Sequence, residues 1–160
     1  MGPSIGAFDE SSNKMYGVSL NTNSSYSHAD FPHFPKLDNI SRFEDWSEPT
    51  IVKELGTKNI LFTDLVVVCY DQLHLGIGKE FLIRCHQLAR KRDFDTIVGM
   101  SITDNSARIA SKYGWKCLKK IDLRSYRDSY TGEAVFAKAT MPFVSVMYKD
   151  FRNINPKSKL

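Results

Sequence analysis

The stretch Leu61–Lys91, LFTDLVVVCYDQLHLGIGKEFLIRCHQLARK, decides how the rest of the chain is read. Within it, Leu65–Cys69 is continuously apolar, rich in β-branched residues and bounded by turn formers, which predicts a buried strand. Tyr70–Leu75 reads as a short loop. Gly76-Ile77-Gly78 then opens a helix whose apolar positions, Phe81, Leu82, Cys85, Leu88 and Ala89, share one face. A strand, a glycine turn and a helix N-terminus together make a cradle for phosphate. The free N–H groups of the first turn point at the anion, and the helix dipole favours it. Glycines remove the Cβ atoms that would block close approach.

Two common phosphate loops are excluded. A Walker loop needs a glycine five residues before Gly78 and Ser or Thr after Lys79, but Leu73 and Glu80 stand there. A dinucleotide fingerprint needs a third glycine where Phe81 stands. What remains is a valine, seven residues, then G-x-G-K entering a helix. This segment resembles the pyrophosphate loop of the GNAT superfamily of acyl-CoA N-acyltransferases. The competing reading is glycines that merely let a strand turn into a packed helix.

Two further segments extend the resemblance. Ser106-Ala107-Arg108 with Lys112, Gly114 and Trp115 resembles the S-A-R…K-x-G-F segment of insect-type arylalkylamine N-acetyltransferases, such as dopamine N-acetyltransferase. Gly132-Glu133-Ala134-Val135-Phe136 and Val146-Met147-Tyr148-Lys149 are similar to that family's closing segments. Three matches in order cover residues 4–149. They imply one α/β (α+β) domain over residues 1–150, a GNAT-like central mixed sheet with helices on both faces. Residues 151–160 read as a flexible tail.

The resemblance also implies chemistry: acyl transfer from acetyl-CoA, or another acyl-CoA, to a small primary amine by direct attack on the thioester. An alkyl ammonium has a pKa of about 10.4, so a base must take its proton first. Implied donor-site residues are Val66, Val67, Val68, Leu73, His74, Leu75, Gly76, Ile77, Gly78 and Lys79, with Asn105 reaching the pantetheine arm. A backbone N–H near Val67 or Val68 would hold the oxyanion. Ser106 would assist the leaving thiolate as the catalytic side chain. Its alternative role, like that of Asn105, is to bond the backbone at the helix N-terminus. No metal is implied.

Departures from the family pattern carry expectations of their own. Leu73-His74 replaces the family's Arg-Gly, which removes a cationic phosphate contact and lowers the expected CoA affinity. Ile102 stands where the family has a first serine, and Met141 where it has a histidine. The chain reads as N-terminally truncated, starting at a hairpin where the family has a strand and two helices first. The family's glutamate base lies in that earlier segment, so no residue here inherits its role. The alternative function is therefore a non-catalytic acyl-CoA-binding fragment. An uncovered sheet edge would favour self-association.

The elements follow from pattern. Ser4–Phe8 and Met15–Asn21 read as a hairpin around the turn-like 9–13. Residues 22–35 read as a loop in which His28 and His33 sit among Tyr26, Phe31 and Phe34 and could line an acceptor pocket. Leu37, Ile40 and Phe43 predict one helix. Ser47 and Pro49 predict the start of a second, closed by Gly56. Asn59–Cys69, Thr96–Ser101, Cys117–Leu123, Ala134–Ala137 and Val144–Lys149 read as strands. Thr103 or Asp104 caps a helix that ends at Gly114.

Composition narrows the class. In 160 residues, 42% hydrophobic and 25% charged content suits one soluble globular domain. A net charge of +4 without a long basic run gives no ground for nucleic acid as the ligand, and Arg84, Arg90, Lys91 and Arg92 read as a solvated helix face. No stretch reaches the ~18–20 apolar residues of a membrane span. Three irregularly spaced cysteines, Cys69, Cys85 and Cys117, suit a reducing compartment and buried thiols. The terminal Ser158-Lys159-Leu160 matches the address read by the peroxisomal import receptor, so the expected location is peroxisomal, or cytoplasmic without it.

Overall fold

The computed structural model describes residues 3–23 and 35–152. His28 and His33, their aromatic neighbours and the last eight residues lie outside the described part.

Two strands open the chain, β1 (Ile5–Phe8) and β2 (Met15–Asn23). The Asp9 carboxylate sets their turn by accepting the N–H and hydroxyl of both Ser11 and Ser12. Helix α1 (Pro35–Leu55) follows, then β3 (Ile60–Val68), a 3-10 helix over Tyr70–Leu75, and α2 (Ile77–Lys91). The chain continues through β4 (Thr96–Ser101), α3 (Asp104–Lys112), β5 (Lys116–Asp122) and β6 (Phe143–Asp150).

Among the described residues, six strands form one mixed sheet in the order β1-β2-β3-β4-β6-β5, in which β3 and β4 alone run parallel, because the α2 crossover joins them. Alternation along the strands divides the core between two faces. Ile60, Phe62, Val98, Val144 and Val146 pack with Phe43, Ile51 and Leu55 of α1. Leu61, Ile97 and Met147 pack on the other face with Cys85 and Ala89 of α2 and Ala110 of α3. The expected sheet with helices on both faces is what forms.

Three expectations are corrected. One helix spans residues 35–55, where two were expected, and Pro49 lies inside it. Proline in a helix interior costs roughly 3 kcal/mol. Phe43, Ser47, Ile51 and Leu55 recur every fourth residue and are all buried, so a break would lift half of this stripe off the sheet. Burying each large apolar member is worth about 1.5–3 kcal/mol, which outweighs the proline. Second, Ala134–Ala137 is not extended. Turns close through Ala137 N–H to Ala134 O and Ala139 N–H to Phe136 O, and adjacent Val135 and Phe136 both reach the α1-side core. Third, Phe151 is anchored, not loose. Its N–H donates to Asp95 O at 2.8 Å, and its ring stacks on His86 at 5.2 Å.

Candidate functional site

The site begins where two strands part. β3 and β4 pair from Ile60↔Thr96 to Thr63↔Gly99 and no further. Beyond that point β3 stays with β2 as far as Val68, and β4 stays with β6 as far as Ser101. A wedge opens between them at the C-terminal ends of the two parallel strands. In open α/β sheets this is where ligands enter.

The peptide groups lining the wedge follow from strand alternation. Cys69 N–H donates to Tyr16 O on the β2 side. Val67 O also faces β2, since a Cβ at Gly17 would meet it at 2.7 Å. Successive peptide groups point to opposite edges, so Val66 and Val68 face the wedge. Of the two expected positions, the Val68 peptide thus faces the wedge, as does that of Val66, whereas the Val67 peptide faces the β2 ladder. Leu65, Val66 and Val67 are all more than two-fifths exposed although β3 is an inner strand. An uncovered apolar segment in the middle of a sheet is suited to a ligand's apolar arm.

Next along the chain comes the glycine turn. Gly76 has φ 72° and caps α2 without any side-chain hydrogen bond. The left-handed conformation explains this glycine. Gly78 has ordinary helical φ and nothing within 4 Å of where its Cβ would lie. Neither turn strain nor packing against the described residues requires it, which leaves clearance above the helix N-terminus. Leu73, His74, Leu75 and Lys79 are exposed around that end, and Ile77 is half-buried. Arg84 pairs with Glu80 at 2.7 Å on the outer helix face, the solvated arrangement expected.

The N-terminus of α3 follows β4 and so lies at the same end of the sheet. Thr103 caps it in a capping box with Ser106. Ser106 Oγ donates to Thr103 O at 2.8 Å and lies 2.9 Å from Thr103 Oγ1. The half-buried Ser106 hydroxyl is thus engaged in the helix cap. Asn105 is exposed and accepts from Arg108 at 3.0 Å. Ser106 thus has the helix-end backbone partner of its alternative reading, whereas Asn105 bonds the Arg108 side chain, and Thr103, not Asn105, is the cap.

On the α1 side, the wedge continues into a cleft lined by Thr22 of β2, Glu44 and Glu48 of α1, Phe62 and Asp64 of β3, and Met100 of β4. Sequence reading missed this carboxylate-bearing wall. The one available signal was Asp64, a charge inside the apolar run LFTDLVVV.

The cysteines differ among themselves. Cys85 is buried beneath α2, 3.3 Å from Ser19 Oγ, and burial pushes its thiol pKa up, which suits packing over reactivity. Cys69, expected in the core, is half-buried, and Cys117 is exposed. Among the described residues, no group of three or more His, Cys, Asp or Glu is placed to hold a metal, and no helix is long and apolar enough to cross a membrane.

No family model and no curated protein matches the sequence. Solved structures do match. A mosquito arylalkylamine N-acetyltransferase-like 5b is similar with TM-score 0.78 and 21% identity, over 94% of this chain and 75% of its own. The C-terminal condensation domain of Ebony, in complex with beta-alanyl-dopamine, gives TM-score 0.77 and 18% identity over 92% and 72%. A Bacillus subtilis acetyltransferase in complex with CoA gives 0.57 and 14% over 92% and 76%. Split parallel strands, a glycine-opened helix and these likenesses together give the chain the fold of the GNAT acetyltransferases.

Proposed function

We propose that the chain is an N-acyltransferase that moves an acetyl or other acyl group from CoA to a small primary amine, such as an arylalkylamine. The observation that carries this reading is the wedge: β3 leaves β4 after Thr63 and presents the Val66 and Val68 peptides beside the open N-terminus of α2. The pyrophosphate of acyl-CoA would take the first-turn N–H groups of Ile77, Gly78 and Lys79. The pantetheine arm would run along Leu65–Val68. The thioester oxygen would then meet a β3 N–H, which stabilises the oxyanion as the amine attacks. The Ebony domain carries beta-alanyl-dopamine and the Bacillus enzyme CoA, and both ligand classes suit this arrangement.

The engagement of Ser106 in the α3 cap favours a second reading, a domain that binds acyl-CoA without turnover. Titration calorimetry with acetyl-CoA against free CoA, followed by thiol release with arylalkylamines, separates the two. Binding with amine-dependent thiol release supports the enzyme. Binding alone supports the second reading. A folded chain that binds neither ligand overturns both.

A further inference from the structure

We infer that Asp64 is the general base of this site, taking the proton of the incoming ammonium through one water; the inference rests on the acyltransferase reading. Asp64 is the residue squeezed out of the β2–β3 ladder: Leu20 pairs with Leu65 and Asn21 with Thr63, leaving no β2 partner for the residue between. Asp64 shares the face of Ile60 and Phe62, which pack toward α1, and its carboxylate lines the cleft at the point where β3 loses β4, one residue beyond the last shared pair, Thr63↔Gly99.

Its spacing suits the chemistry. Val66 follows two residues later, about 7 Å along an extended strand. The carboxylate and the peptide N–H that would hold the thioester oxygen therefore belong to one short stretch of strand, where an amine and one bridging water would link them. Among the described residues that line the cleft, the other charged groups are Glu44 and Glu48 of α1, with Thr22 of β2 and Gly99 and Met100 of β4.

The step balances as follows. One ammonium proton passes through water to the Asp64 carboxylate and on to solvent. The freed lone pair forms the C–N bond. As the C–S bond breaks, a second proton leaves the nitrogen through water and ends on the CoA thiolate. The products are the amide, CoA thiol and one released proton.

The test compares two acceptors with acetyl-CoA as donor: an arylalkylamine, protonated at pH 7, and an aromatic amine, already neutral there. Asp64→Asn is expected to lower kcat/KM for the arylalkylamine by ~10²–10⁴-fold. Turnover of the aromatic amine and acetyl-CoA affinity should stay at wild-type level. Asp64→Glu, which keeps the carboxylate, should recover part of the arylalkylamine rate. Equal losses with both acceptors would mark a structural role and overturn the assignment. So would a selective loss in Glu44→Gln or Glu48→Gln in place of Asp64→Asn. A wild-type chain that binds acetyl-CoA but acylates neither acceptor also overturns it. A wild-type chain that binds no acetyl-CoA overturns the acyltransferase reading itself, and this inference with it.

Discussion

Arg42 Nε lies 2.6 Å from Asp128 Oδ2, tying α1 to the loop that follows β5. Asp128 is buried, and its other oxygen accepts the N–H groups of Tyr130 and Thr131 and the Thr131 hydroxyl. Burial alone would raise its pKa. The Thr131 and Tyr130 hydrogen bonds and the Arg42 charge outweigh it and hold the carboxyl below its ordinary value. Arg42→Met should therefore cost about 2 kcal/mol, between the values for exposed and buried pairs, since the arginine is partly exposed. Asp128→Ala should cost more, because it also strips two backbone donors of their acceptor. Denaturant unfolding measures both. The sign with pH follows: this contribution is present above the ordinary carboxylate range and is lost as pH falls through the lowered value. Arg42→Met should flatten the acid limb, and an unchanged limb would mean the pair contributes nothing.

Gly76→Asp should weaken acetyl-CoA binding at least tenfold, or about 1.4 kcal/mol. It places a carboxylate at the helix N-terminus that would receive phosphate, at a left-handed position. Gly76→Asn tolerates that conformation without the charge and should retain more affinity. Calorimetry on both variants checks this; equal affinities would remove the charge argument.

Val66→Pro and Val67→Pro make a contrasting pair. Proline at 66 deletes an N–H that faces the wedge and leaves the β2 ladder intact. Proline at 67 deletes a ladder donor. The first should keep a cooperative fold and lose about 10²–10³-fold in turnover, the cost of one oxyanion donor. The second should lose stability first. Thermal unfolding beside thiol release distinguishes them, and the reverse order would reassign the peptide directions.

His86 supplies a second pH dependence. Burial, with Lys149 and Arg90 nearby, lowers its pKa to about 4 from an ordinary 6.5. The fold thus prefers neutral imidazole, and the unfolded chain binds the extra proton between those values. Stability should rise with pH through this window and be fully present above it. His86→Phe keeps a ring against Phe151 and should remove that part of the slope. An unaltered slope between pH 4 and 6.5 would assign it elsewhere.

Much of the fold was legible because local chemistry and tertiary packing agree there. Leu65–Val68 reads as a buried strand; it is a strand, but Leu65, Val66 and Val67 are exposed because β4 has left β3 there, while the Gly76 turn and Thr103 cap stand where their residues predict. Pro49 misled because its local preference is overridden by the Phe43-Ser47-Ile51-Leu55 stripe, whose value depends on a sheet not yet assembled. Val135-Phe136 misled because apolar neighbours suggest a buried strand, while two turns carry both side chains to the same core. Asp64 was not assigned a role because a bulge has no periodic signature of its own. The α1 carboxylates that line the same cleft, Glu44 and Glu48, lie on a different element, and no spacing rule joins them to it.

The anchoring of Phe151 fixes the direction in which the chain departs. β6 runs antiparallel to β4, with Asp150 opposite Thr96 and Ser145 opposite Ser101. The wedge opens at the Ser101 end, so Phe151 leaves the sheet at the far pole. The His86–Phe151 stack therefore sits at the pole opposite the wedge, so changes that loosen this anchor act on the fold from the end of the sheet farthest from the parted strands.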